Sequence, residues 1–376
     1  MKNGSVIKII ELSDLHLGVK SIPIEAMING LNKSLPDNDY LSDIDIIFLA
    51  GDVFDRELIF PSVEALVIQH WIVRLLKLCK KYNVLLRILE GTPSHDHRQS
   101  KHFIHLNDVF HIEADVKYID ILFIEYIEQF DISVLYVPDE WRSTTEVTQA
   151  EVKQLLNAHS LTQVDYAIMH GCFTYQLPEV AYAPVHNEAY YLSIVRYYIF
   201  IGHHHQHTHC DRIIAAGSHD RITHGQEESK GYICATIDHI SHEMSFEFIT
   251  NELAALFITL DSSLFTAKKL TSKLDSLLKQ QIETNIPLNI RFLYDSPSPL
   301  ESIMSSYSRH YKYVTWIESK KTKKEKKKKG NHLPDLFVPL IISKTTINDI
   351  IKSRLINKGH EPTFINKIDS LLNVLK

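Results

Sequence analysis

The sequence has little cysteine and no cysteine motif. Only four of its 376 residues are cysteine, and none of them has the CxxC spacing that marks many zinc and thiol-redox sites. Each one lies in or near an apolar segment: Cys79, Cys172, Cys210 and Cys234. We therefore expect buried free thiols in a reducing compartment.

The sequence also lacks a long apolar run and an excess of positive charge. No stretch of about eighteen uncharged apolar residues occurs, although a membrane-spanning helix would need one. The N-terminal segment leads straight into a strand-like run that meets Glu11 and Asp14, so we expect neither export nor membrane insertion but a cytoplasmic protein. The formal net charge of −6 argues against a uniformly basic nucleic-acid binder and leaves room for a local basic track.

Histidine, by contrast, is abundant, with 22 residues. Several follow apolar, strand-like runs, which is where a metal enzyme with an open α/β sheet places its ligands. The length of the chain exceeds what a single core usually covers, so we expect one large domain and one or two smaller ones.

The clearest pattern is an apolar run that ends in a glycine and a carboxylate. Residues 46–50 read as a fully buried strand, and Gly51 and Asp52 follow it directly. Taken alone, a Gly-Asp pair is more often a turn or a helix cap than a ligand. The arrangement recurs, however, after other strand-like runs, which are followed by Asp14 and His16, by His95 and Asp96, by His170, and by His203 and His205. This repetition favours a shared site.

Alternation along an extended chain predicts which of these side chains point together. Residues two apart point the same way in a strand, so we expect Asp14 and His16 to bind one ion. By the same argument, His203 and His205 face one side and His204 faces the other.

Periodicity predicts the remaining elements. It places helices at residues 27–35, 63–82, 146–158 and 266–280, and strands at residues 6–12, 84–89, 121–127, 132–137, 164–169, 197–201, 245–250, 255–260, 288–293 and 313–317. It also predicts a helix near residues 300–307 and a histidine-bearing loop around His102, His105 and His111.

Five ordered motifs resemble those of the calcineurin-like metallophosphoesterase superfamily. They are Asp14-x-His16, Gly51-Asp52-x-x-Asp55, a Gly…His95-Asp96 segment, His170-Gly171 and Gly202-His203-x-His205. Leu17-Gly18, Ala216-Gly217-Ser218, Arg221, Gly225 and Lys230-Gly231 make the chain similar to the SbcD-type nuclease subunit of the double-strand-break repair complex, in a divergent, phage-like form. The resemblance covers roughly residues 6–237. It implies an α/β fold in which a four-layer α-β-β-α sandwich carries a small α/β cap and a C-terminal helical segment.

The resemblance also implies a site for two divalent ions with a shared carboxylate. Asp52 would be the bridge; Asp14, His16 and His205 would complete one site, and His170 and His203 the other. His95 would donate a proton to the leaving group. Mixed oxygen and nitrogen ligands favour manganese and leave iron and zinc open.

The chain departs from the family at one ligand position. The family usually has Gly-Asn-His-Asp where this chain has Gly91-Thr92-Pro93-Ser94-His95-Asp96, so Ser94 stands in place of the asparagine. A hydroxyl is a shorter and poorer ligand than an amide oxygen. We therefore expect Ser94 to bind the second ion directly or through water, and that ion to be held more weakly.

Each of these residues has a simpler interpretation on its own. His170 alone is more often a structural histidine, and three adjacent histidines (His203, His204 and His205) alone form an adventitious metal-binding surface. In the simpler interpretation, Asp55 only caps its own loop or forms a hydrogen bond within it. Arg56 and Arg98 are equally explained as phosphate contacts or as solvated surface charge. The ordered set as a whole favours the metal site.

The change of pattern beyond Asp238 and the lysine run divide the chain into four segments. With the identities that the resemblance implies, they are a nuclease domain at residues 1–243, an α/β capping domain at 244–319, a lysine-rich linker at 320–332 and a C-terminal helix-loop-helix at 333–376. The lysine run is typical of a mobile linker and is compatible with contact to a phosphate backbone. The last two helices are amphipathic and too short to bury their apolar faces alone. They either fold back onto the cap or, as the resemblance implies, bind an SbcC-type coiled-coil ATPase.

The resemblance therefore implies a metal-dependent DNA nuclease that forms a homodimer and acts with an SbcC-type ATPase in repair, recombination or replication. We expect exonuclease activity on duplex ends and endonuclease activity on single strands or hairpins. Two alternatives stay open: a stand-alone phosphoesterase acting on nucleotides or small phosphates, and a non-catalytic DNA-binding scaffold.

Overall fold

The computed structural model describes residues 6–139, 142, 144–177, 185–261, 267–294 and 314–320. All of these residues belong to one compact unit, Met1–Thr322. The predicted helix near residues 300–307, the lysine run beyond Lys320 and the C-terminal helix-loop-helix lie outside the described residues.

The described chain is a mixed α/β structure with two six-stranded sheets and a smaller third sheet. The strands are β1 Val6–Leu12, β2 Ile46–Ala50, β3 Leu85–Leu89, β4 Val116–Ile119, β5 Phe123–Ile127, β6 Ile132–Val137, β7 Tyr166–His170, β8 Ile199–Gly202, β9 Thr208–Cys210, β10 Ile213–Ala215, β11 Gly231–Asp238, β12 Met244–Thr250, β13 Leu256–Asp261, β14 Leu288–Tyr294 and β15 Val314–Lys320. The helices are α1 Ile24–Ser34, α2 Asp39–Ser42, α3 Val63–Tyr82, α4 Pro93–Asp96, α5 Lys101–Val109, α6 Thr145–Ala158, α7 Glu188–Ile194 and α8 Ala267–Thr284.

Both large sheets are mixed, with a parallel centre. The first has the order β12-β11-β1-β2-β3-β4, in which β1 to β4 are parallel and β11 and β12 are antiparallel to their neighbours. The second has the order β5-β6-β7-β8-β10-β9, in which β6, β7, β8 and β10 are parallel. Parallel strands place their carboxyl ends at one edge of a sheet, where α/β proteins bind ligands.

Three apolar cores stack the sheets and helices in four layers. The central core joins the inner faces of the two sheets, for example through Phe48 of β2 and Phe200 of β8. Helices α1 and α3 cover the outer face of the first sheet, and α6 and α7 cover that of the second. Because β2 is covered on both faces, all five of its side chains are buried, which explains its continuous apolar sequence.

Local sequence determines where helix α3 begins and ends. It begins after Ser62, whose hydroxyl accepts a hydrogen bond from the Ala65 N–H, and it ends at Asn83 in the left-handed conformation. Its buried side chains recur at helical spacing, so the predicted range of residues 63–82 is confirmed. The predicted loop around His102 is wrong, because Lys101–Val109 forms α5.

The third sheet contains three parallel strands in the order β13-β14-β15, and α8 packs on it. The capping segment was predicted to start at residue 244, but Met244–Thr250 pairs with Gly231–Asp238 in the first sheet. The small sheet therefore begins at Leu256. The reason is a hairpin: β11 and β12 are joined by five residues, and the pairing extends the large sheet by one strand.

The four cysteines are free, as expected; Cys79 and Cys172 are buried, and Cys210 and Cys234 are half-buried. Within the described ranges, no helix is long and apolar enough to cross a bilayer.

Candidate metal centre

The carboxyl ends of strands from both large sheets meet at one place. The His170 ring at the end of β7 donates through Nδ1 to the Ala50 carbonyl at the end of β2, over 2.8 Å. The backbone N–H of Asp14 donates to the Gly51 carbonyl (3.1 Å), and that of His203 donates to both carboxylate oxygens of Asp14 (3.0 Å). These bonds link the loops that follow β1, β2, β7 and β8.

The loops turn by left-handed backbone rather than by extended chain. Asp14, His16 and Asp52 have φ angles of +50°, +47° and +50°. The prediction assumed that Asp14 and His16 lie in extended chain and point the same way for that reason. That assumption is wrong, because their backbone is left-handed. They converge because each is in the left-handed region, which costs free energy for a non-glycine residue and is typical of functional sites.

Two glycines let the loops approach closely enough. A Cβ on Gly51, whose φ is +87°, would lie 2.2 Å from Nδ1 of His170. A Cβ on Gly91 would lie 2.1 Å from the backbone nitrogen of Asp52. The carboxylate of Asp96, which is fully buried, accepts hydrogen bonds from the N–H groups of Phe54 (2.8 Å) and Gly91 (2.7 Å) and ties the same two loops together.

The first group of ligand atoms comes from Asp14, His16 and His205. Nε2 of His16 lies 3.1 Å from Nε2 of His205, which in turn lies 3.7 Å from Oδ1 of Asp14. His16 and Asp14 are fully buried and His205 is half-buried. Two imidazole nitrogens each about 2.1 Å from one ion are roughly 3 Å apart, so the spacing fits a shared ion.

The second group comes from Asp52, His170 and His203. Nε2 of His170 lies 3.3 Å from Oδ1 of Asp52, and the His170 and His203 rings meet edge to face with centroids 5.3 Å apart. The other carboxylate oxygen of Asp52, Oδ2, lies 3.8 Å from Nε2 of His16. The Asp52 carboxylate therefore lies between the two groups.

A hydroxyl completes the second group, and it belongs to Thr92 rather than Ser94. Oγ1 of Thr92 lies 3.3 Å from Asp52 Oδ2, 3.4 Å from His170 Nε2 and 3.3 Å from His203 Nδ1. The Thr92 N–H donates to Asp52 Oδ1 over 2.6 Å. Ser94 is exposed on α4, so the structure does not bring it to the position that the sequence predicts. The sequence does contain one indication of Thr92: it directly follows Gly91, just as Asp52 directly follows Gly51.

Hydrogen bonds on the far side of the rings set which nitrogens face the centre. The donation from His170 Nδ1 to Ala50 leaves Nε2 as a free ligand atom. Nδ1 of His16 lies 3.3 Å from Oδ1 of Asp55, so its Nε2 also faces inward. His95 donates through Nδ1 to the Asp55 carbonyl (3.0 Å), and its ring centroid lies 5.0 Å from that of His16. Asp55 therefore orients two histidines, a role that its motif left open.

A loop after β10 holds His205. Nε2 of Gln226 donates to His205 Nδ1 over 2.8 Å, while its Oε1 accepts the Ile222 N–H. The fully buried ammonium of Lys230 donates to the His205 carbonyl over 2.7 Å and to Glu228 over 2.6 Å. With the Gln226 nitrogen donating to Nδ1, the neutral His205 ring carries its proton on Nε2. Binding an ion through Nε2 would require the proton on Nδ1 and a flipped Gln226 amide, which would lose the bond from the Ile222 N–H. Gln226 has no motif of its own in the sequence.

The pKa values of the candidate ligands shift in both directions: burial lowers the pKa of His203 and lowers that of His205 to about 4, whereas nearby carboxylates raise those of His170 and His16. Burial by itself raises the pKa of Asp52, but the charge and hydrogen bond of His170 outweigh it and hold the pKa below its usual range. Burial lowers the pKa of His170, yet Asp52 dominates and raises it to about 10. Burial lowers the pKa of His16, but the close contact with Asp55 and the charges of Asp14, Asp52 and Asp55 outweigh burial and raise it. Carboxylates that stabilise imidazolium stabilise a bound cation in the same way.

The donor set therefore fits divalent metal ions. It combines imidazole nitrogens with carboxylate oxygens, the ligand types that manganese, iron and zinc share. The atoms of each group lie within 4.8 Å of one another, and the carboxylate of Asp52 faces both groups. The groups can hold metal ions; the donor types do not select one element.

The other singled-out side chains lie apart from the two groups. His207 donates to the Ala215 carbonyl (2.7 Å) and stacks on Phe248. Arg56 donates to the Gly18 carbonyl and pairs with Glu64 at 2.7 Å, which favours a structural role. Exposed or half-buried positions are occupied by His97, Arg98, His102, His105, His204 and His209.

Comparisons with known proteins add little. No protein-family model matches the chain, and no curated protein matches it. One crystal structure aligns with 64% of this chain and 98% of its own chain, at 14% sequence identity and a TM-score of 0.33. A likeness of this extent carries no argument about fold or function.

Proposed function

We propose that the protein is a metal-dependent phosphodiesterase that uses two divalent ions. The supporting observation is the position of Asp52, whose two carboxylate oxygens lie 3.3 Å from His170 Nε2 and 3.8 Å from His16 Nε2. A carboxylate between two sets of ligands is what a pair of ions about 3.5–4 Å apart requires. Such a pair neutralises phosphate oxygens and activates a water molecule for attack.

The protein's own side chains would position the ions and donate a proton to the leaving group. Asp14, His16 and His205 would hold one ion, and His170, His203 and Thr92 would hold the other, with the Asp52 carboxylate lying between the two groups. His95 is the proton donor for the leaving oxygen: Nδ1 is engaged by the Asp55 carbonyl, so Nε2 is the nitrogen that exchanges a proton with the substrate. An imidazole suits this role because its ordinary pKa lies near neutrality.

Within this class, we propose DNA as the substrate and manganese as the metal. The support is the order of the five sequence motifs, the small unit after the second sheet and the lysine run at residues 320–329. On the same grounds, we propose an exonuclease on duplex ends that becomes an endonuclease on single strands or hairpins with a coiled-coil ATPase. A homodimer in the cytoplasm, or in the host cytoplasm if a phage encodes it, completes the proposal.

The test is manganese-dependent cleavage of a labelled DNA duplex by the purified protein and by Asp52→Asn. We expect cleavage only by the unmodified protein, with a rate at least about 10³-fold above the variant, because loss of the bridging charge removes both ions. Metal content after dialysis should fall for both sites in the variant. Asp211→Asn, an exposed position in the β9–β10 turn, is the matched control and should leave activity and metal content unchanged.

Two further comparisons separate the alternatives. Hydrolysis of bis(4-nitrophenyl) phosphate faster than DNA would favour a stand-alone phosphoesterase. Duplex binding without cleavage at any manganese concentration would favour a non-catalytic scaffold. Full metal occupancy in Asp52→Asn would contradict the bridge itself.

A further inference from the structure

The Gln226 side chain contacts His205, a residue of the first ligand group, from outside that group. Its Nε2 donates to Nδ1 of His205 over 2.8 Å, while its Oε1 accepts the Ile222 N–H over 2.9 Å. An amide nitrogen donates and does not accept, so only the oxygen end of the amide can face the Ile222 N–H. The bond from Ile222 therefore fixes the nitrogen end toward His205.

Both neighbours of this amide are held by other parts of the chain. The Ile222 carbonyl accepts the Ser21 hydroxyl over 2.8 Å, and the Ile222 side chain packs against the core that α1 and α3 form with the first sheet. The His205 carbonyl accepts the Ser218 N–H over 3.0 Å and the buried Lys230 ammonium over 2.7 Å. The amide thus bridges two segments whose backbones are fixed separately.

The donors across the first ligand group all point in one direction. Because Gln226 donates to Nδ1 of His205, the neutral His205 ring carries its proton on Nε2. That Nε2 lies 3.1 Å from Nε2 of His16, which then accepts. A neutral His16 ring holds its own proton on Nδ1, which lies 3.3 Å from Oδ1 of Asp55. This pattern places a hydrogen between the two Nε2 atoms, where an ion needs a lone pair from each.

We propose that Gln226 is a positioning residue that weakens metal binding by the first ligand group. The proposal rests on the proposed two-ion function and adds a control on one of the ions. For His205 to bind an ion through Nε2, its proton has to move to Nδ1, and the Gln226 amide has to turn its oxygen toward that proton. The turned amide brings its nitrogen against the Ile222 N–H, so one hydrogen bond is lost and two donors face each other.

A glutamate at position 226 removes this conflict. One carboxylate oxygen can accept the Ile222 N–H while the other accepts a proton on His205 Nδ1. Metal-binding histidines usually donate their second N–H in this way. A methionine of similar length forms neither bond and imposes no preference on the ring. If Gln226 only supported its loop, methionine would weaken metal binding, whereas release of His205 strengthens it.

The test compares the unmodified chain with Gln226→Glu, Gln226→Met and the control Gln206→Glu. Gln206 is exposed and precedes His207 directly after His205, so the control adds the same negative charge nearby and leaves the Gln226 amide in place. Nitrogen-15 NMR of the histidine rings, in chelator-treated protein, reports which ring nitrogen carries the proton; the spectrum of His205→Gln assigns the His205 signals. Equilibrium dialysis with metal analysis measures manganese affinity.

We expect the His205 proton on Nε2 in the unmodified chain and the control, and on Nδ1 in Gln226→Glu. Manganese affinity for one of the two ions should rise about tenfold or more in Gln226→Glu, the usual size of an effect from outer partners of metal ligands. In Gln226→Met it should rise at least about threefold, because the bond from Ile222 no longer opposes binding. Gln206→Glu should stay within about twofold of the unmodified chain, since an exposed charge contributes little.

Two results would overturn the role of Gln226 alone. One is a proton on Nδ1 of His205 in the unmodified chain; the other is weaker manganese binding by Gln226→Met. Equal rises in Gln226→Glu and Gln206→Glu would assign the effect to charge and overturn it as well. If neither the unmodified chain nor Gln226→Glu bound manganese, the two-ion function itself would be overturned, and the ring NMR would still decide whether Gln226 sets the His205 proton.

Discussion

Thr92 and Ser94 stand two residues apart, and only one of them faces the ligand groups. Counting back from His95 selects Ser94, because the family motif places its neutral ligand immediately before the histidine. The backbone is anchored instead at Gly91, which packs against Asp52. Pro93 and Ser94 then form the first turn of α4 and carry the Ser94 side chain outward.

Thr92→Val tests this assignment, with Ser94→Ala as its matched control. The valine keeps the shape and the N–H bond to Asp52 but removes the hydroxyl, so we expect manganese affinity at the His170 and His203 site to fall about tenfold. The other site should keep its ion. Equilibrium dialysis with metal analysis measures the two occupancies.

Ser94→Ala should titrate like the unmodified chain, because its hydroxyl is exposed on α4. If Ser94→Ala lowered manganese affinity more than Thr92→Val, Ser94 would be the ligand, as the sequence predicts. Equal loss from both sites in Thr92→Val would mean that the hydroxyl supports Asp52 rather than one ion.

At the scale of elements, predictability follows burial. Strand β2 was predictable because both of its faces are covered, and helix α3 because its buried side chains form one stripe. Helix α5 was missed because it is short and buries only Phe103, although Leu106 packs against the same core one turn later. The membership of β12 in the first sheet depends on pairing with β11, a tertiary contact that the strand's own sequence does not encode.

The loops between elements were the least predictable part of the site. Their sequences show which residues are present but not the left-handed backbone of Asp14, His16 and Asp52. That conformation depends on hydrogen bonds from other loops, such as the bond from the Asp14 N–H to Gly51. The strand ends thus predicted most of the side chains that gather in the two groups, Ser94 excepted, but not the geometry that brings them together.

Gly51→Ala should test the close approach of the loops. Alanine at this position suffers both a positive φ of +87° and a Cβ only 2.2 Å from the His170 ring. We expect a loss of about 3 kcal/mol or more in the free energy of unfolding, or failure to fold. Urea denaturation measures it.

Gly225→Ala is the control that separates strain from overlap. Its φ is also positive, at +103°, but no described atom lies within 4 Å of the added Cβ. It should cost only about 1–2 kcal/mol, the usual penalty of the left-handed region. Similar losses in the two variants would show that backbone strain alone, rather than contact with His170, requires glycine at position 51.

On the scale of the whole molecule, one buried histidine joins distant segments outside the metal centre. The Ser34 hydroxyl at the end of α1 lies 2.9 Å from His219 Nε2, and Asn251, just after β12, donates to the His219 carbonyl over 3.0 Å. His219 is almost fully buried. Burial lowers its pKa from 6.5 to about 4, so the folded protein keeps this imidazole neutral.

This burial makes stability depend on pH in a predictable direction. Between pH 6.5 and about 4, the unfolded chain binds a proton at His219 that the folded chain does not, so stability rises with pH there. The contribution of His219 is fully present above pH 6.5 and is lost as the pH falls toward 4. Its size is on the order of 3 kcal/mol.

Comparison with His219→Gln isolates this contribution. The neighbouring Asp220, whose pKa burial raises to about 7, acts in the opposite direction, since its protonated form is favoured on folding. Asp220 is present in both proteins, so its effect cancels in their difference. Urea denaturation at pH 7.5, 6, 5 and 4.5 should show the unmodified chain losing its advantage over His219→Gln as the pH falls. A difference that stays constant over this range would contradict a neutral, buried His219.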